Sequence, residues 1–168
     1  MSTDTLVREP ATRSGERATR SAAVRGYVVA VRPIEFFRPS EEVDAAHVRR
    51  LAEEVRRSGQ WLAPLPVEED TGLVMDGNHR LQVARLLGLR RLPCVPLRYG
   101  DQRLRVRCWK TGRPFSLAEL QEIVAIPTVL PYKTTRHAFD PPLPETEIPL
   151  CLLGHMPADD RDVDTTSR

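Results

Sequence analysis

Cysteine is scarce: the 168 residues hold three, Cys94, Cys108 and Cys151, odd in number and far apart. That pattern fits neither a disulfide framework nor the short ligand spacing of a zinc site, so the thiols are expected to be buried and structural. A dominant charge sign is lacking too. The 25 Lys and Arg nearly balance the 23 Asp and Glu, for a net charge of +2, so the chain as a whole exerts no strong pull on nucleic acid or on a membrane surface. Long apolar runs are absent. No stretch approaches the ~20 residues of a membrane span. The N-terminal segment lacks the apolar core of a signal peptide, and its Asp4, Glu9 and Glu16 argue against a transit peptide. A cytoplasmic protein without a membrane or nucleic-acid partner is expected.

What is present suffices for one folded unit, with 40% hydrophobic residues. Residues 1–25, rich in Ser, Thr, Arg and Ala without an apolar period, read as a disordered arm whose arginines either touch a polyanion or stay solvated. Residues 156–168 read as a polar, mostly acidic tail. The folded domain is expected over 26–155.

Within it, Gly26–Val31 has strand composition, and an extended connection follows to Pro39, held open by two prolines. Val48, Leu51 and Val55 recur at helical spacing, which predicts an amphipathic helix from about Glu41 to Ser58, stopped by Gly59. An extended stretch, Trp61–Val67, leads into a hairpin that turns at Glu68–Gly72 and returns through Leu73–Met75. A second helix starts after Asp76, buries Leu81, Ala84 and Leu87, and ends at Gly88. The prolines of Arg91–Leu97 predict an edge strand. Leu104–Trp109 alternates as a half-covered strand, and Ser116 with Glu119 forms a capping box for a helix reaching Ala125. From Pro127 through His137 the chain reads as coil. The order indicates a compact mixed α/β (α+β) domain.

Three places can carry chemistry. The first is Asp76-Gly77-Asn78-His79-Arg80, where an apolar strand meets a tight turn and a helix begins at once. Gly77 permits close backbone approach, Asn78 can cap the helix, and His79 and Arg80 sit on its first turn. Free N–H groups, a helix dipole and a guanidinium then suit an anion, phosphate above all; the same residues also suit a plain capped turn with solvated side chains. The second is Lys133-Thr134-Thr135-Arg136-His137, whose mixed donors suit a carboxylate or phosphate, or else form an exposed basic loop. The third is Glu35, between Ile34 and Phe36-Phe37, which is either a general base with a raised pKa or a surface carboxylate between buried neighbours. Trp109, ending its strand, reads as core; His47 and His155 suggest solvated or packing roles.

These elements resemble the ParB/sulfiredoxin superfamily. The pattern runs from Pro33-Ile34-Glu35 through Arg57-Ser58-Gly59, Pro64-Leu65-Pro66-Val67, Val74-Met75-Asp76-Gly77-Asn78-His79-Arg80 and Leu87-Gly88 to Leu92-Pro93. The resemblance implies a small mixed sheet with flanking helices and separates three branches. Sulfiredoxin has its catalytic cysteine where this chain has Asn78. Chromosome-partition ParB proteins add a helix-turn-helix domain, and nothing after Pro127 has that periodicity. The free L-serine kinases carry an Asp-Gly-His-His-Arg motif and a downstream Thr-Arg-His element, and this chain is similar to them at Asp76–Arg80, except for Asn78, and at Thr135-Arg136-His137. That likeness implies phosphoryl transfer from ATP or ADP, with Mg²⁺, to free L-serine or a close analogue. It implies Glu35 as base and Asp76 and His79 as further catalytic groups. It also implies nucleotide contacts from Gly77, Asn78, His79 and Arg80, and a substrate pocket formed by Trp109, Thr135, Arg136 and His137. The ParB branch implies instead a CTP-binding regulatory module without kinase activity.

Overall fold

The computed structural model describes residues 26–154; the arm at 1–25, the tail at 156–168 and His155 lie outside the described residues. A three-stranded sheet is ordered β1–β4–β3, from β1 (Ala30–Pro33), β3 (Leu65–Glu68) and β4 (Arg91–Leu97). Strand β4 is central, not an edge. It pairs antiparallel with β1 over Arg91–Cys94 and parallel with β3 over Cys94–Leu97. The two pairings overlap only at Cys94, so each half of β4 keeps one open side. Pro93 and Pro96, one in each half, can turn their missing N–H to that side.

Both faces of β4 are covered, which explains its apolar run. Leu92 and Cys94 join a core with Leu65, Val67, Leu81 and Ala84, against which α1 (Ala45–Ser58) and α2 (Asn78–Leu86) pack. Val95 and Leu97 point the other way, into a second core with Met75, Leu104, Val106 and Leu120. That core lies under the antiparallel pair β5 (Leu104–Cys108) and β6 (Thr135–Phe139) and α3 (Leu117–Ala125). A small pair, β2 (Gln60–Trp61) with β7 (Ile148–Pro149), closes the far side.

The capping box at Ser116 and Glu119 forms as expected, and the hairpin returns with Val74 opposite Val67. Other expectations shift. The first strand begins four residues later than Gly26. Helix α1 starts at Ala45 instead of near Glu41, because Asp44 caps it, its Oδ1 accepting from the N–H groups of Ala46 (2.8 Å) and His47 (3.3 Å). This leaves Glu41 and Glu42 in the loop ahead of the helix. The segment expected as coil up to His137 contains most of β6, for Thr135, Arg136 and His137 pair with Cys108, Arg107 and Val106. Of the thiols only Cys94 is buried; Cys108 is partly covered and Cys151 exposed.

Candidate functional site

Where the turn into α2 faces the β5–β6 pair, a cleft of about 200 Å³ opens. One wall is the turn into α2, Met75 to His79. A second is the loop ahead of α1, with Glu41 and Glu42. The third comes from the end of β5 and the approach to β6, with Trp109, Tyr132, Lys133 and Thr135.

The turn itself is built around Gly77, which has φ +94° and would place a Cβ 2.6 Å from the Arg80 guanidinium and 2.7 Å from the buried Leu65 side chain. Only glycine fits. Gly77 is also the N-cap of α2 and lends no side chain, so the first N–H groups of the helix keep the free donors and positive dipole end that favour an anion. Asn78 is the first helical residue, not the cap. Its buried amide looks away from the helix: Oδ1 accepts from Ser40 N–H (2.9 Å) and Glu41 N–H (3.4 Å), and Nδ2 donates to Ser40 Oγ (3.0 Å). Arg80 does not aim into the cleft. It lies back along the helix, donates to the carbonyls of Ala63 and Pro64 at 3.2 Å each, and sits 3.6 Å from Asp76. Burial lowers its pKa from the usual value, with the Asp76 carboxylate opposing. Its guanidinium therefore braces the turn from behind and lines a second, apolar cleft of about 280 Å³ with Leu51, Val55, Trp61, Leu62 and Ala63.

His79 is packed edge-on between His47 (4.9 Å between ring centres) and Tyr132 (5.6 Å). Its Nε2 accepts from Asp44 N–H at 3.1 Å, which puts the proton of the neutral ring on Nδ1. Burial, and then the neighbouring His47, push its pKa down, so the ring is neutral at neutral pH and Nδ1–H remains a donor.

Glu41 is the most engaged carboxylate in the cleft. Oε1 accepts from the N–H and hydroxyl of Thr135 (2.7 and 2.6 Å), and Oε2 accepts from Lys133 N–H (3.1 Å). Its segment is zipped to the same loop through Glu42 N–H to Leu130 O (2.9 Å) and Leu130 N–H to Ser40 O (2.8 Å). Lys133 adopts φ +57°, a left-handed conformation that a lysine takes only when held, and Glu41 holds it. The Lys133 ammonium stands 5.4 Å from the Trp109 ring centre and 5.1 Å from that of Tyr132.

The residues singled out from the sequence are thus partly brought together. Asp76, Gly77, Asn78, His79, Trp109 and Thr135 line the cleft. Trp109 is half-exposed rather than core. Glu35 is not among the lining residues. It lies exposed on a one-turn 3-10 helix, Ile34–Phe36, and Ile34 N–H is tied to Arg90 O beyond the opposite end of α2. Nine helical residues separate the two ends, about 13 Å at 1.5 Å per residue. Arg136 and His137, expected side by side on one ligand, fall on opposite faces because β6 alternates. Arg136 is exposed and braces Trp109 from 5.4 Å, while His137 turns inward to Tyr99 Oη at 3.2 Å, where burial pushes its pKa to about 3. Glu41, Glu42 and Tyr132 were missed. The available signal for the two glutamates was Asp44, a strong capping residue that moves the helix start past them.

No family model matches the sequence. The chain is 30% identical over 76 residues, 43% of its length, to an ATP-dependent L-serine kinase of Desulfurococcus mucosus, and 31% identical over 72 residues, again 43%, to a ParB-like protein of Sulfolobus acidocaldarius. These matches span about a third of the curated relatives, 30% and 36% of their lengths. Among solved structures it superposes on a free serine kinase in complex with AMP with a TM-score of 0.59 at 17% identity, over 77% of this chain and 95% of the other. The chain accordingly resembles serine kinases and ParB-like proteins in sequence and has the mixed α/β fold of a free serine kinase.

Proposed function

We propose that this protein is a small-molecule kinase that moves a phosphoryl group from ATP or ADP to the hydroxyl of free L-serine or a close hydroxylated amino acid, giving O-phospho-L-serine. The observation that carries the reading is the convergence of a carboxylate, a neutral histidine, a lysine and a helix N-terminus on one cleft. Phosphoryl transfer asks a protein mainly to position its reactants and to neutralise charge. The α2 N-terminus and His79 Nδ1–H would receive the phosphates, with Lys133 adding positive charge. The apolar cleft beside Trp61 and Arg80 is placed to take the nucleobase, since Arg80 and Gly77 share the turn between the two clefts.

Glu41, and not Glu35, is the group placed to accept the serine proton. Two of its three hydrogen bonds fall on Oε1, which leaves Oε2 the freer oxygen. Trp109 and Thr135 would wall the amino acid. Among the described residues no cluster of three His, Cys, Asp or Glu could hold a metal ion. The donor set therefore suits a Mg²⁺ that arrives on the phosphates and keeps its waters, with Asp76, held 3.6 Å from Arg80, on the wall to meet that shell. Among the described residues no helix is long and apolar enough to cross a membrane, and a cytoplasmic location accompanies this reading.

The test is incubation with Mg²⁺, L-serine and ATP or ADP, with phosphoserine sought by mass spectrometry. Phosphoserine with one donor supports the reading and names the donor. The similarity to a ParB-like protein favours a second reading, a CTP-binding module without an acceptor. Serine-independent CTP hydrolysis with no phosphoserine from either donor would replace the kinase by that module.

A further inference from the structure

The side chain of Asn78 is nearly buried and its hydrogen bonds all run to one place. Oδ1 accepts from two backbone N–H groups, those of Ser40 and Glu41, and Nδ2 donates to the Ser40 hydroxyl oxygen. Those two residues lie 38 and 37 positions away in sequence. The amide oxygen and one of its two N–H donors are therefore spent on this loop, which leaves one Nδ2 hydrogen and the backbone N–H of the residue for the cleft. On the other side of the same loop, Thr135 and Lys133 hold the Glu41 carboxylate. Glu41 is therefore held at three points, its main chain by Asn78 on one side and by the bridge to Leu130 on the other, and its head by the approach to β6. The loop from Pro39 to Glu42 belongs to no sheet; a single backbone bridge to Leu130 and these side-chain contacts set its register.

We propose that Asn78 is a positioning residue for Glu41, an amide clamp that sets the carboxylate against the acceptor, and not a phosphate ligand. The inference rests on the reading of Glu41 as the base. It explains how asparagine can stand in the first turn of α2 beside His79: the phosphate contact is left to His79 and the helix N–H groups, and the adjacent position works on the loop. A base that must meet its proton within hydrogen-bond reach is sensitive to this, since a misplacement of about 1 Å can lower turnover by about 100-fold.

The experiment uses the full chain and three proteins: wild type, Asn78→Ala and Asn78→Asp. An aspartate keeps two acceptors for the Ser40 and Glu41 N–H groups, and the Ser40 hydroxyl can rotate to donate to it; alanine keeps none. With phosphoserine as readout, Asn78→Ala is expected to lower kcat by about 10- to 100-fold while the Kd for ADP stays within about threefold, and Asn78→Asp to recover most of the loss. Amide hydrogen exchange read at Ser40 and Glu41 should speed up at least tenfold in Asn78→Ala and stay slow in Asn78→Asp. A role confined to general stability would change exchange throughout the domain and would not split kcat from nucleotide affinity. Unchanged exchange at the two amides in Asn78→Ala overturns the clamp, and a tenfold loss of ADP affinity at intact kcat makes Asn78 a phosphate ligand instead. If wild type forms no phosphoserine, the kinase reading falls by that result alone, and the exchange data still decide the clamp.

Discussion

Replacing Glu41 by glutamine separates chemistry from architecture at the cleft. Glutamine keeps one carbonyl oxygen, which can still accept from the Thr135 N–H and hydroxyl. Its amide nitrogen would then face the Lys133 N–H, donor against donor, where Oε2 now accepts at 3.1 Å. One hydrogen bond is lost and two cease to be charge-assisted. Each such change is worth about 1 kcal/mol, less where water reaches, and relaxation of Lys133 from φ +57° returns about 1 kcal/mol, so the net loss of stability should be about 1–2 kcal/mol. The loss in turnover is expected to be far larger. General-base catalysis contributes about 10²–10⁴-fold, which is about 3–5 kcal/mol of barrier. Glu35→Gln is the matched control: the side chain is exposed and outside the cleft, so stability should change by no more than about 0.5 kcal/mol and turnover should stay at the wild-type level. Urea unfolding gives the first quantity, and phosphoserine formation at saturating nucleotide and serine gives the second. If Glu41→Gln turns over within threefold of wild type, or Glu35→Gln falls as far as it does, Glu41 is not the base.

Three further outcomes follow from particular contacts. Gly77→Ala forces a Cβ against the Arg80 guanidinium and the buried Leu65 at a φ of +94°; strain and overpacking together should lower unfolding free energy by about 2–4 kcal/mol, read from the urea midpoint, and a loss below 1 kcal/mol would mean that the turn relaxes freely. His137 has a folded pKa of about 3, below the value near 6.5 of an unfolded histidine, so between those pH values the unfolded chain binds a proton that the native state refuses. Its contribution is present in full above about pH 6.5 and is lost as pH falls toward 3, by up to about 1.4 kcal/mol per pH unit; urea midpoints at pH 7 and 4.5 should diverge less in His137→Gln than in wild type, and equal divergence would locate the acid sensitivity elsewhere. Cys94 is buried with its thiol pushed up to about 11, whereas Cys151 is exposed and Cys108 partly so with its pKa lowered by hydrogen bonds from the Thr111 side chain and backbone. A thiol titration of the native protein should count two fast cysteines and release the third only on unfolding; three fast thiols would contradict the packing of β4.

The features that could be read from the sequence are those fixed within a few residues. A serine and a glutamate three apart make the capping box of α3, and Asp76-Gly77 between an apolar strand and a helical stripe makes the turn into α2. The alternation that makes Leu104–Cys108 a strand is equally local. The central place of β4 was hidden because two prolines argue for an edge, and only the staggered pairing with β1 and β3 on opposite halves removes the conflict.

The wall of the cleft at Glu41 and Glu42 was not legible, for a reason that lies in its construction. Asp76 to His79 are neighbours in sequence and stay neighbours in space. Glu41 gains its meaning from Asn78, 37 residues on, and from Thr135, 94 residues on, and no local pattern encodes those distances. A carboxylate flanked by apolar residues drew attention to Glu35, yet burial of the neighbours says nothing about where the carboxylate itself points. The mixed donors of Lys133 to His137 misled in a different way: clustering in sequence implies one site only for a loop, and in a strand period two divides it. Thr135, His137 and Phe139 face in and Arg136 and Ala138 face out, an alternation already visible in Thr-Arg-His-Ala-Phe once the strand is allowed. The donors therefore do three jobs instead of one: Thr135 holds Glu41, Arg136 braces Trp109, and His137 turns inward to Tyr99.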